Sequence, residues 1–284
     1  MSIVRICALA ASTLIFGCAV QAAGATGALS FEPVHGPVTK GHKSTKSAGA
    51  SPFVLNSTDP ADPKDWRATV TASNGNEYCT ATLIEPQIVL TAAHCLKNGS
   101  AIKIRIDTGN EYKGDCQKAS AYPADPSADY ALCWMQTKIT GIKFERLSFD
   151  QDELKNAGAL TLTGYGCVEY PEAMYLGLRT GLTTLWKLPG QVNGMPNFLK
   201  TRGQAAICLG DSGGGAYLVR ELTGIRRLVA INAKMDELPA DGVRTSSLSA
   251  VATRDFMCFA KNWLKTKSNA TITDLPAVQC EPKS

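Results

Sequence analysis

Beyond Phe53 the chain alternates short apolar runs with clusters of glycine, proline, asparagine and aspartate. The runs at 67–71, 79–84, 88–92, 102–106, 160–165, 216–220 and 226–232 have the length of strands. Ile102, Ile104 and Ile106 alternate with Lys103 and Arg105, a period of two that predicts a strand with one buried face. Thr223-Gly224, between the last two runs, suits a hairpin turn. Many short strands punctuated by turn residues predict an all-β sandwich or a pair of barrels. One helix is expected over 251–265, where Val251, Phe256, Phe259, Trp263 and Leu264 form an apolar stripe; the tail after Lys265 is polar. No internal repeat stands out.

The first 52 residues follow other rules. Arg5 precedes an apolar stretch over 6–20 that ends in Val20-Gln21-Ala22, the pattern of a signal peptide over 1–22. An alternative cleavage before Cys18, in Ile15-Phe16-Gly17-Cys18, would leave a lipid-anchored protein. The stretch is too short for a membrane span, and no other segment is apolar enough for one. Residues 23–52 are rich in Ala, Gly, Ser, Thr and Lys and too poor in large apolar side chains to offset the entropy of ordering, so we read them as a flexible leader or propeptide.

Composition adds bounds. The 284 residues are 44% hydrophobic and 19% charged, which excludes a disordered chain and leaves one large domain or two smaller ones. Arg5, Lys40, Lys43 and Lys46, set against Glu32, account for +3 of the net +4, so the body is nearly neutral and carries no nucleic-acid signature. Removal of the signal leaves eight of the ten cysteines, an even number that predicts disulfides in an exported chain. The closest two, Cys79 and Cys95, are 16 residues apart, so the paired spacing of a thiolate metal site is missing and no metal is expected. Asn56, Asn98 and Asn269 head glycosylation-type tripeptides.

Three segments carry chemistry. Thr91-Ala92-Ala93-His94-Cys95 ends an apolar run with the only histidine after residue 42; Asp129 precedes another apolar run; Gly210-Asp211-Ser212-Gly213-Gly214 places a serine in a glycine-rich turn. Each alone is explicable as turn chemistry. Together, in the order His, Asp, Ser, they resemble the signature motifs of the chymotrypsin-like (trypsin-type) serine peptidases over about residues 53–265. The resemblance implies an all-β fold of two Greek-key six-stranded β-barrels, at 53–145 and 146–250, with the active site in the cleft between them and a helix and disulfide-tied tail at 251–284. It implies a secreted endopeptidase working through an acyl-enzyme, with protein or peptide substrates, protein inhibitors as further partners, a monomeric state and no cofactor. Ser212 would be the nucleophile, His94 the base, Asp129 its orienting acid, and the N–H groups of Gly210 and Ser212 the oxyanion hole. Cys79–Cys95 would clamp the histidine loop, a closure worth about 3 kcal/mol in the chain-entropy model. We expect the remaining pairs to be Cys116–Cys133, Cys167–Cys208 and Cys258–Cys280, although eight cysteines allow many other pairings.

The sequence also departs from that family. Asp211 would pair with a freed N-terminal amine in zymogen-activated members, commonly that of Ile-Val-Gly-Gly, yet the comparable stretch is Phe53-Val54-Leu55-Asn56 after Pro52. Processing elsewhere, for example after Lys46, or another cation facing Asp211, would satisfy the same need. No cysteine lies between 208 and 258 to serve the usual pocket loop, so a remodelled pocket is expected. The resemblance places its base at Ala206, its edge at Ala233, Lys234 and Met235, and its far wall at Gly242, and so implies a preference for small or medium apolar substrate residues over Arg or Lys. A competing reading is a non-catalytic binding protein on the same fold. An esterase of another fold conflicts with the order of the three residues.

Overall fold

The computed structural model describes residues 62, 64–106, 109–167, 177–203, 205–220, 225–236 and 241–280. The expected signal and leader, segment 53–56 and the Thr223-Gly224 turn lie outside the described residues.

Two closed antiparallel barrels follow one another along the chain. The first contains β1 (Thr69–Asn74), β2 (Glu77–Glu85), β3 (Ile88–Thr91), β4 (Ala101–Arg105), β5 (Glu111–Lys118) and β6 (Ala131–Met135), joined in the order β1-β2-β3-β6-β5-β4. A short helix, α1 (Gln151–Lys155), leads to the second: β7 (Ala159–Gly164), β8 (Arg179–Lys187), β9 (Phe198–Arg202), β10 (Gly215–Arg220), β11 (Ile225–Met235) and β12 (Thr245–Ala250). Its order, β7-β8-β9-β12-β11-β10, repeats that of the first barrel. Closure gives each of these twelve strands a neighbour on both sides.

The alternation at 102–106 is realised in β4, where Ile102 and Ile104 are buried and Lys103 and Arg105 exposed. Five strands escape the sequence pattern, and β12 shows why. All six of its residues are buried, yet four are Ser or Thr. Their hydroxyls are hydrogen-bonded: Thr245 and Ser247 donate to Asp236, Ser249 donates to the Ser127 carbonyl, and Ser246 accepts from Ile207 N–H. Satisfied hydroxyls remove the penalty for burying a polar strand, and with it the hydrophobic signal. In β5 the sequence Glu-Tyr-Lys-Gly-Asp-Cys-Gln-Lys is polar, and Gly114 is fully buried where a side chain would strike Met135.

Each barrel has its own apolar core, and a third cluster joins them. Ile84, Ile88, Leu90 and Leu132 of the first barrel meet Tyr217, Leu228 and Ile231 of the second and Phe256, Ala260 and Trp263 of the closing helix α2 (Arg254–Leu264). The Thr253 hydroxyl caps α2 by accepting from Phe256 N–H, so the helix starts after Val251, which packs in the preceding turn. The polar tail does not trail free. Ile272 is buried, Thr273 N–H donates to Glu85, Arg146 reaches Asp274 at 2.8 Å, and Cys258–Cys280 ties the tail to α2. Near the other end, Arg226 lies over Trp66 at 3.9 Å and is bidentate to Glu145.

Trp263, a member of the joining cluster, is 1% exposed. Trp263→Ala is expected to cost about 3–5 kcal/mol in urea denaturation, whereas exposed Lys265→Ala should stay within about 0.5 kcal/mol. Equal costs would deny the helix its structural role.

Candidate active site

His94 sits in a single 3₁₀ turn, Ala93–Cys95, directly after β3. Ala92 and Ala93 are wholly buried, and Cys95 is bonded to Cys79 in the adjoining strand, so the loop is held from both sides of the imidazole. Asp129 follows a second 3₁₀ turn, Pro126–Ala128, capped by Asp125, whose carboxylate accepts from Ser127 N–H at 2.9 Å. The two meet by two contacts. His94 Nδ1 lies 2.6 Å from Asp129 Oδ2, and His94 N–H donates to Asp129 Oδ1 at 2.8 Å. Both carboxylate oxygens are engaged, which fixes the imidazole in one orientation with Nδ1 bearing the proton. Asp129 is 4% exposed and His94 remains half-buried at the surface. Tyr122 borders the pair; burial, then the charge of Asp129, raises its phenol pKa.

Ser212 reaches the same place from the second barrel. Its carbonyl accepts from Thr80 N–H at 2.8 Å, and the Cys95 sulfur lies 3.7 Å from that oxygen. The Thr80 hydroxyl donates to the Gly210 carbonyl at 2.8 Å and accepts from Tyr165 N–H at 3.0 Å, while its own carbonyl accepts from the Thr91 hydroxyl at 2.9 Å. Gly213 packs so closely that a methyl there would fall 2.2 Å from both Thr80 O and Thr91 Oγ1, and its φ is +83°. Gly210 also has a positive φ, +96°, a conformation that lets the chain reverse beside the serine. The structure thus docks the serine turn against the segment that carries His94. Thr80, between Cys79 and Ala81, has no distinctive sequence signal, and composition alone would not have singled it out.

Asp211 points the other way, into the second barrel, and is completely buried. Its carboxylate accepts from Gly166 N–H at 2.7 Å and Cys208 N–H at 2.8 Å. Burial pushes its pKa up from 3.8 to about 7, against the downward pull of those two amides and of the Arg179 charge. The Gly164-Tyr165-Gly166 triplet before Cys167 was the available sequence signal for this cradle.

Among the described residues four disulfides form, Cys79–Cys95, Cys116–Cys133, Cys167–Cys208 and Cys258–Cys280. Cys79, His94 and Cys95 form the one close group of metal-type donors among the described residues, but its two sulfurs are bonded to each other. Of the residues expected to shape a pocket, Ala206 is fully buried, Lys234 is exposed, and Met235 packs on the Cys167–Cys208 bridge. Gly242 lies in an exposed turn with open space where a side chain would project. Pairing of β12 with β11 sets Ser246 opposite Met235, and the Ser246 hydroxyl binds Ile207 N–H beside Ala206.

A family model described as Trypsin matches residues 55–242, a span that includes the histidine, aspartate and serine segments.

A carboxyl whose pKa is raised on folding stabilises the fold while protonated, so the contribution of Asp211 is present below pH 3.8 and lost as pH rises through about 7. Asp211→Asn, which cannot titrate, should show a flatter change of denaturation midpoint than wild type between pH 4 and about 7. Parallel slopes would remove Asp211 as the titrating group.

Proposed function

Because the chain belongs to the trypsin family, whose members are serine endopeptidases, we propose that it is an exported endopeptidase that cuts peptide bonds through an acyl-enzyme on Ser212. The observation that carries this reading is the two-point contact between His94 and Asp129, with the Ser212 turn docked on the same loop. A serine hydroxyl is too weak an acid to attack an amide unaided. His94 Nε2 takes the Ser212 proton as Oγ bonds to the substrate carbonyl carbon, and the resulting imidazolium is stabilised by Asp129 across the 2.6 Å contact. The developing oxyanion is received by the N–H groups of Gly210 and Ser212. His94 then returns the proton to the leaving nitrogen as the C–N bond breaks, and a water repeats the sequence on the acyl-enzyme. Four disulfides support a life outside the reducing interior of a cell.

Ala206 supports a preference for small or medium apolar residues before the cut. An Arg or Lys side chain carried to that position would lose its water without gaining a carboxylate.

A serine-directed phosphonate should modify Ser212, located by mass spectrometry; a protein fully active on peptides yet unlabelled there would exclude Ser212 as nucleophile, and a protein neither active nor labelled would favour the binding-protein reading. Asp129→Asn should lower kcat by about 10⁴ with the fold intact. On chromogenic peptides that differ only in the residue before the cut, turnover after Ala, Val or Leu should exceed that after Arg by about a hundredfold. The reverse order would overturn the pocket assignment.

A further inference from the structure

Where the segment entering the first barrel, the segment joining the barrels and β11 come together, the surface is hollowed into a cleft of about 710 Å³. Its lining holds six cations, Lys64, Arg67, Lys143, Arg146, Arg226 and Arg227, and two acids, Asp65 and Glu145. His94, Asp129 and Ser212 do not line it, so the cleft is separate from the site described above.

Arg226 and Glu145 close its floor. The guanidinium is bidentate to Glu145 and also donates to the Asp65 carbonyl, so this pair neutralises itself. The rim is unbalanced. Arg146, at 2.8 Å, and Arg227, at 3.7 Å, share one carboxylate, that of Asp274. Lys64 and Lys143 are exposed, and neither ammonium makes an ion pair among the described residues. Four cations thus face the carboxylates of Asp65 and Asp274, and Arg67 adds its charge to theirs. With the leader residues set aside, the whole body has a net charge of only +1, which this rim alone exceeds. Cations gathered from three separate segments repel one another, and a bound anion relieves that repulsion.

The surroundings narrow the class of anion. Trp66 carries Arg226 over its ring at 3.9 Å and meets the Tyr217 ring edge-on at 5.0 Å, while Phe144 packs on the core of the first barrel. The aromatic side chains are therefore engaged, and the stacking platform by which single-stranded nucleic acid is held is missing. The main chain of the joining segment is engaged too: Glu145 N–H donates to the Leu83 carbonyl, and the Arg146 carbonyl accepts from Leu228 N–H. An acidic peptide finds no open strand edge along it. What the cleft offers is charge, spread over a volume within the range of about 300–1,000 Å³ that takes a drug-sized ligand. Its guanidinium groups match tetrahedral oxyanions by shape and by weak hydration, and its lysines act as point charges.

We propose that this cleft binds a sulfated polysaccharide, with Lys64, Lys143, Arg146 and Arg227 on successive sulfate esters and the Arg226–Glu145 pair as a neutral floor. The protein is thereby anchored to an anionic matrix through a surface remote in role from Ser212, whatever chemistry Ser212 performs.

The test measures binding of the purified protein to an immobilised heparin hexasaccharide at about 0.15 M NaCl. Wild type should bind it and should ignore the same hexasaccharide after chemical desulfation. Lys64→Gln combined with Lys143→Gln should weaken Kd about tenfold or more and flatten the slope of log affinity against log salt by about 1–2. Lys113→Gln combined with Lys265→Gln removes the same charge from exposed positions elsewhere and should weaken Kd less than about threefold. Near-ultraviolet circular dichroism checks the fold of each variant. Equal losses in the two double variants, no binding by wild type, or retention of the desulfated sugar would overturn the proposal. So would single-stranded DNA or polyglutamate of matched charge that competes as well as heparin does. Should the Lys64 and Lys143 variant fail to fold, the desulfation and competition results decide alone.

Discussion

A buried threonine in the wall of the first barrel joins the two halves of the site. Thr80 uses its N–H on Ser212, its hydroxyl on Gly210 and Tyr165, and its carbonyl on Thr91. Each such bond contributes only about 1 kcal/mol net, but any of these buried groups left without a partner would cost about 1–3 kcal/mol, so the arrangement holds as a unit. More important is its route. Ser212 is tied through main chain to β2, and β2 through Thr91 to the end of the strand that precedes His94, so Ser212 and His94 are spaced by backbone rather than by long side chains. The close approach also explains Gly213, since any Cβ there would enter the Thr80 carbonyl.

The dependence runs in both directions. Ser127, in the turn that delivers Asp129, accepts from Asn197 N–H through its hydroxyl at 3.1 Å and from the Ser249 hydroxyl through its carbonyl at 3.0 Å. Asn197 also donates to Asp125, the residue that caps that turn. The first barrel therefore positions the serine of the second, while the second barrel braces the aspartate of the first. The polar lining of β12, costly in isolation, is what makes this bracing available: Ser249 is buried because its hydroxyl spans the seam.

The histidine and serine motifs were legible because each packs distinctive small residues around one reactive side chain within a few positions. Regular alternation made β4 legible in the same way. Thr80 was silent since threonine is ordinary in a strand and its importance comes from partners 85 and 130 residues away. The hydroxyl-rich β12 was silent because its burial depends on bonds to Asp236 across the preceding turn and to Ser127 and Ile207 on distant segments. The tail read as polar because its one buried anchor, Ile272, is flanked by residues whose partners, Glu85 and Arg146, lie on distant segments.

That tail acts as a tether. From α2, to which Cys280 is bonded, it runs across the junction of the barrels and touches Glu85 of the first and Arg146 of the connecting segment. Two rigid bodies glued along an apolar seam could in principle breathe by rocking on it. With a covalently closed loop drawn over the seam, rocking must also pull Ile272 from its socket and break the polar contacts on either side of it. Soft motion is thereby shifted out of the barrels and into the loops at the rim. A bulky substrate would have to be met by rearranging those loops rather than by parting the barrels.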